Sequence, residues 1–327
     1  MPWAGFGQIK KNKKGKTAYL NDDAYLKHDT GGFHPGRPER LMAINKMVDQ
    51  SDWNRNLLEI NAHDVGLDIV SLVHDREYIE KVRRECETGY SVLSTGDTNI
   101  CPKSYSVALK AVGGVLNAVD AVMNGKAKNA FCAVRPPGHH ASQHQGMGFC
   151  VFNNIAIAAR YAQKKHGLER ILIADWDVHH GNGTQDIFYH DESVFFMSTH
   201  QYPWYPGTGH FSETGEGKGR GFTLNRHFPA GAGNLEILTV FKNDFLTAAR
   251  DFKPDLTLIS AGFDSRKGDP LGQFLIDDEG FRELTKIMLE ISHINGNGRL
   301  LSILEGGYNL EGLSQAIHAH LGELSKA

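Results

Sequence analysis

From Ser104 onward the sequence repeats one pattern, a continuous apolar run of four or five residues followed by a segment with apolar residues at helical spacing. The runs are Phe131-Cys132-Ala133-Val134, Ile171-Leu172-Ile173-Ala174, Val194-Phe195-Phe196-Met197-Ser198, Leu256-Thr257-Leu258-Ile259-Ser260 and Leu300-Leu301-Ser302-Ile303-Leu304. Helices are expected over Ser104–Met123, Asn154–Lys165, Leu235–Phe252 behind Asn234 as a cap, and Asp278–His293. A strand that is apolar on both faces must be covered on both, so the alternation predicts the α/β class, a parallel sheet with helices on each side. Gly113-Gly114, inside the first helix, predicts close packing rather than a break.

No repeat, linker or shift of composition divides the chain, so residues 1–327 are expected to form one domain with a sizeable core. The 35 Lys and Arg residues against 38 Asp and Glu leave a net charge of −3, with no basic surplus for a nucleic-acid backbone. The basic run Lys10–Lys16 reads as a solvated turn. No stretch approaches the roughly 18 uninterrupted apolar residues of a membrane span, and no apolar segment follows the basic residues of Met1–Tyr19. A soluble, cytoplasmic protein is expected. Cys86, Cys101, Cys132 and Cys150 show no C-x-x-C spacing and are expected to be reduced thiols.

Parallel sheets bind ligands at the carboxyl ends of their strands, and there the sequence concentrates its chemistry. The strand ends lead into Pro136-Pro137-Gly138-His139-His140, into Asp175-Trp176-Asp177-Val178-His179-His180, to His200, into Gly262-Phe263-Asp264 and into Glu305-Gly306-Gly307-Tyr308. In an extended segment side chains alternate, so Asp177 and His179 point the same way and can share a metal ion with Asp264. Two carboxylates and one imidazole leave coordination positions open, as a catalytic rather than a structural site requires. The alternative reading makes Asp177 and His179 helix caps and Asp264 an acceptor for backbone amides. His139 and His140 are read as proton-transfer and charge-stabilising groups, because Asp175 shares the face of Asp177 and can hold an imidazole. Tyr308, after two glycines, suits a hydrogen bond to a developing oxyanion, with ordinary packing as the competing reading. No G-x-S-x-G, H-E-x-x-H or G-x-x-x-x-G-K-[ST] motif occurs, and Gly207–Gly221 reads as a loop around a pocket mouth.

Taken together, these residues resemble the histone deacetylase superfamily, with its arginase-deacetylase fold. The resemblance rests on His34-Pro35, Arg37-Pro38-Glu39-Arg40, Arg135 through Ala141, Gly148-Phe149-Cys150, Asp175 through Gln185, Ser260 through Asp264, Gly268-Asp269-Pro270 and Glu305 through Tyr308. Asn182, where class I members carry Asp, makes the chain similar to class II and bacterial deacetylase-like amidohydrolases. The resemblance implies one zinc ion per chain on Asp177, His179 and Asp264, and His139 held by Asp175. It implies a substrate channel formed by Gly148, Phe149, Tyr205, Leu271 and Asp97, with Leu271 at the rim where a polyamine-selective relative has glutamate. It also implies potassium bound by Asp175, Asp177, His179 and Ser198, and a second such site involving Phe188 and Phe222.

The implied reaction is metal-assisted hydrolysis of an acylated lysine, in a protein or peptide, or of a small acylated amine. His140 would act as base and then acid, His139 as electrostatic support, and Tyr308 as oxyanion donor. Three rivals remain at this point: an acetylpolyamine hydrolase, a two-manganese ureohydrolase and an inactive acyl-lysine-binding scaffold.

Overall fold

The apolar runs become the middle of one sheet. The structure is a computed structural model that describes residues 16–327. Its strands are β1 (Lys16–Leu20), β2 (Leu57–Ile60), β3 (Ala127–Cys132), β4 (Ile171–Asp175), β5 (Val194–Gln201), β6 (Thr223–Phe228), β7 (Leu256–Ala261) and β8 (Leu300–Leu304). They lie in the order β2-β1-β3-β8-β7-β4-β5-β6, and every neighbouring pair is parallel. All residues of β4, β5, β7 and β8 are buried, which is why these strands need apolar residues on both faces.

The helices are α1 (Glu39–Asp49), α2 (Leu67–Val70), α3 (Arg76–Glu87), α4 (Ser104–Met123), α5 (Asn154–His166), α6 (Asn182–Phe188), α7 (Asn234–Val240), α8 (Leu246–Phe252), α9 (Asp278–His293) and α10 (Leu310–Leu324). One group, α4 and α5, packs together against β1, β3 and β7, while α1, α9 and α10 form a second group against β3, β7 and β8. By length and composition α4 would suffice to cross a membrane, but here it is a core helix. Its Gly113 and Gly114 lie so close to the His63 carbonyl and to Leu20 and Tyr25 that a Cβ would collide, so the glycines do permit close packing.

Three expectations need correction. The strand near Phe131 starts at Ala127 and ends at Cys132, because Val134 N bonds to Cys132 O and the chain turns out of the ladder. The helix expected over Leu235–Phe252 is two helices joined by a wider π turn, Phe241–Phe245. Asn234 is not its cap: Gly233 precedes the helix, Glu236 accepts from its N–H, and the Asn234 amide instead bonds Asp277. The basic run lies outside the described residues except for Lys16, which is exposed at the start of β1.

Candidate active site

The carboxyl ends of β3, β8, β7 and β4 stand side by side, so the loops that follow them converge. After β3 the chain is fixed by Arg135, fully buried, which donates to the carbonyls of Tyr25, His28 and Gly36 at 2.7–2.8 Å. Glu305, after β8, accepts from the amides of Gly138 and His139 at 2.7 and 3.2 Å. These bonds leave His139 and His140 little freedom, and their rings lie 4.0 Å apart.

The loop after β4 folds over its own carboxylates. Asp175 accepts from Asp177 N at 3.1 Å, and Asp177 accepts from His179 N at 2.9 Å and from Gly306 N at 2.9 Å. Asp264, after β7, accepts from Val178 N at 2.9 Å. Trp176 points away, among Phe241, Phe281 and His320. The alternation read from the sequence is thus real, and it brings Asp177, His179 and Asp264 together with their ligand atoms within 4.8 Å of one another.

Both readings of the Asp-x-His pattern hold in part, since these carboxylates accept backbone amides and still converge on a common point. His179 Nδ1 lies 3.0 Å from Asp177 Oδ1 and 3.2 Å from Asp264 Oδ2. Asp264 Oδ2 is buried yet receives no hydrogen bond of acceptable geometry. Burial and the neighbouring Asp177 push the Asp264 carboxyl up to about 7. An orphaned carboxylate oxygen at zero exposure, with the Asp177 carboxylate close by, is costly for the protein alone, and a bound cation removes that cost. The donor set therefore fits a divalent metal ion.

The two histidines differ in charge although they are neighbours. Burial opposes the charge of His139, but Asp175, bonded to its Nδ1 at 2.9 Å, and Asp177 hold its pKa up to about 10. Burial depresses His140, and the positive charges of His139 and His179 depress it further, well below 6.5. Its Nδ1 faces Asn182 Oδ1 at 2.8 Å, so the proton sits on Nδ1 and Nε2 is a free acceptor. Such a divergence of two titrating groups is what acid–base work requires.

Tyr308 follows Gly306, where a Cβ would strike the carboxylates of Asp177 and Asp264, and Gly307, at φ +117°. The Arg40 guanidinium lies 5.0 Å from the centre of its ring, and Phe149 meets the ring edge-on at 5.8 Å. Burial, then Asp264, raises the phenol well above 10, which keeps it a proton donor.

Above these groups opens a cavity of about 270 Å³, lined by His140, His179 and Tyr308 and by all five expected channel residues: Asp97, Gly148, Phe149, Tyr205 and Leu271. Asp97 ties two walls together, accepting from Gly148 N at 2.7 Å and Tyr205 Oη at 3.4 Å. Trp204 and Pro270 also line the cavity; Pro270 was visible in the sequence only as part of a motif, and nothing there singles out Trp204. Gly207–Gly221 does not line it: Gly209 backs onto His180 and His200, and Gly219 onto Tyr189 and His190, behind the wall. Asp175 and Ser198 stand in register on β4 and β5. Phe188 and Phe222 lie away from the channel, their carbonyls accepting from Asp191 N and Phe196 N.

Arg40 was visible in the sequence only as part of a motif. Buried at 1% exposure, it donates to the carbonyls of Glu305 and Gly307 at 2.6 Å each, and so shapes the turn that carries Tyr308.

Fold and convergent strand ends are those of a deacetylase domain, and the chain belongs to the histone deacetylase family: the model of the histone deacetylase domain matches residues 34–324. Among curated proteins it is 39% identical over 298 residues to a probable deacetylase of Archaeoglobus fulgidus, covering 90% of this chain and 82% of the relative. It is 40% identical to histone deacetylase 10, chloroplastic, of Oryza sativa, covering 90% of this chain and 71% of the relative. A polyamine deacetylase, HDAC10 of Homo sapiens, is 39% identical, with 86% of this chain and 43% of the relative covered. The crystal structure of the HDA15 HD domain superposes with a TM-score of 0.91 at 36% identity, over 95% of this chain and 89% of the other.

Proposed function

We propose that this protein is a zinc-dependent amidohydrolase that removes acetyl or other acyl groups from lysine side chains. One observation carries the reading: Asp177, His179 and Asp264 converge at the base of an aromatic-walled cavity, beside one imidazole held charged and one held neutral. Asp177, His179 and Asp264 would hold the zinc ion. When bound, zinc lowers the pKa of a water and polarises an acyl carbonyl.

His140 takes the proton of the attacking water at Nε2, the ring nitrogen that Asn182 leaves free. The same nitrogen then returns a proton to the departing amine. His139, kept protonated by Asp175, supplies positive charge beside the reacting carbonyl without moving a proton itself. The phenol of Tyr308 donates to the oxyanion. Phe149 and Tyr205 favour the methylenes of a neutral acyl-lysine and disfavour the charge of a free lysine. Potassium at Asp175, Asp177, His179 and Ser198 belongs to the same reading, which the register of Asp175 with Ser198 supports.

The two-manganese alternative lacks support among the described residues. The other cluster of ligating side chains there is His139, Cys150 and Glu305, and the Glu305 carboxylate is already engaged by Gly138 N, His139 N and Ser260 Oγ. One observation favours a polyamine substrate, the carboxylate of Asp97 at the cavity wall, but its Oδ1 is committed to Gly148 and Tyr205. The test is acetate release by purified protein from acetyl-lysine peptides, longer acyl peptides and acetylpolyamines, with metal counted per chain. One zinc and a preference for acyl-lysine are expected. Two divalent ions per chain, or better hydrolysis of acetylspermidine than of every peptide, would reject the reading.

A further inference from the structure

Asp269 is not among the residues lining the channel, yet three backbone amides converge on its carboxylate. Oδ2 accepts from Tyr308 N at 2.6 Å and Asn309 N at 3.1 Å, and Oδ1 accepts from Leu271 N at 3.0 Å. The residue is 8% exposed. The peptide between Gly307 and Tyr308 is therefore gripped at both ends, its carbonyl by Arg40 Nε at 2.6 Å and its N–H by Asp269. Gly307 at φ +117° has a backbone that its own preferences leave free to move, so these charged partners must hold it. Fixing that peptide plane fixes the Cα–Cβ direction of Tyr308. A small rotation of the plane is magnified at the hydroxyl, at the far end of the ring.

We infer that Asp269 is a positioning residue for Tyr308: its carboxylate sets the peptide from which the phenol projects and, through the Leu271 amide, ties that setting to the channel rim. The inference rests on the role given to Tyr308 above. A carboxylate that merely anchored two loops would make the same three bonds, so the test must ask whether Asp269 acts through the Tyr308 hydroxyl.

The experiment is a double-mutant cycle on the zinc-loaded enzyme with an acetyl-lysine peptide, read together with amide hydrogen exchange over residues 306–310. Asp269→Asn preserves shape but replaces one accepting oxygen with a group that only donates. The kcat should fall on the order of tenfold to a hundredfold, as when a reacting group is misplaced by about 1 Å. KM and zinc content should hold while the Tyr308 and Asn309 amides exchange faster. In the Tyr308→Phe background the same substitution should cost less than about twofold, because the hydroxyl it positions is gone. An equal loss in both backgrounds, or an unchanged kcat, overturns the inference. If Asp269→Asn fails to fold, Asp269→Glu, which keeps the charge but moves it by one methylene, runs the same cycle, and the same outcomes support or overturn the inference. Tyr308→Phe with unchanged kcat would overturn both this inference and the role of Tyr308; failure of Asp269 alone leaves the Tyr308→Phe loss in place.

Discussion

Replacing Asn182 by Asp should move the acid limb of the pH–rate profile upward. Asn182 Oδ1 and His140 Nδ1 are 2.8 Å apart, and both residues are buried. His140 is held well below 6.5 by burial first and then by the charge of His139. A general base works only while neutral, so the parent enzyme loses activity only where pH falls through that depressed value. A carboxylate at position 182 would face the imidazolium with charge centres about 4 Å apart, and at an effective dielectric constant of about 20 the attraction is about 4 kcal/mol, or roughly 3 pKa units. The amide dipole already supplies part of this, and desolvating the new carboxylate offsets more, so a net rise of about 2 units is expected. With a higher pKa the base stays protonated to higher pH, so kcat/KM falls on the acid side while the plateau above it is retained. The assay is kcat/KM against pH for an acetyl-lysine peptide, with zinc content measured at both ends of the range. Superimposable profiles, or an acid limb displaced to lower pH, would refute His140 as the titrating base.

Tyr308→Phe should retain fold and zinc but lower kcat about a hundredfold, the effect of losing one oxyanion donor worth roughly 3 kcal/mol. An unchanged kcat, with chemistry rate-limiting, would reduce Tyr308 to packing. Asp264→Ala should lose both activity and metal, because it removes one of the three residues proposed to hold the ion; normal zinc content by elemental analysis would disprove the site. Leu271→Glu should raise kcat/KM for acetylspermidine relative to an acetyl-lysine peptide, with a smaller shift at high salt because a charge at the rim is screened. The same ratio before and after substitution would show that the rim does not select substrate.

The centre of the sheet is legible because burial on both faces demands unbroken apolar runs. Leu300–Leu304, Ser104–Met123 and Asp278–His293 occupy the residues their patterns predict. Edge strands carry no such signal. Thr223-Leu224-Asn225-Arg226-His227-Phe228 forms β6 with several residues part-exposed, and its pairing with β5 depends on backbone groups that any residue except proline supplies. The same holds for Leu57–Ile60 at the other edge, whereas Lys16–Leu20, buried from Thr17 onward between β2 and β3, is hidden by its short run and its Thr and Tyr. The π turn at Phe241–Phe245 is invisible for a related reason, since an apolar helical pattern tolerates a local widening without changing which residues face inward.

Within the site, residues that act through their own side-chain chemistry are readable, and those that act on the backbone are not. Asp177, His179 and Asp264 announce themselves by type and spacing, whereas Asp269 and Glu305 stand in the sequence only as parts of motifs, and their work is hidden until the amides that converge on them are known. His139 and His140 mark the boundary between the two cases. As adjacent histidines on one rigid turn they are indistinguishable by type, and position in the chain says nothing about which carries charge. What separates them is the partner at Nδ1, a carboxylate from Asp175 for one and an amide from Asn182 for the other, on residues 36 and 42 positions away. The carboxylate compensates the burial of a cation and the amide does not, so the fold keeps one imidazole charged and the other neutral by choosing whether each meets the end of β4 or the start of α6.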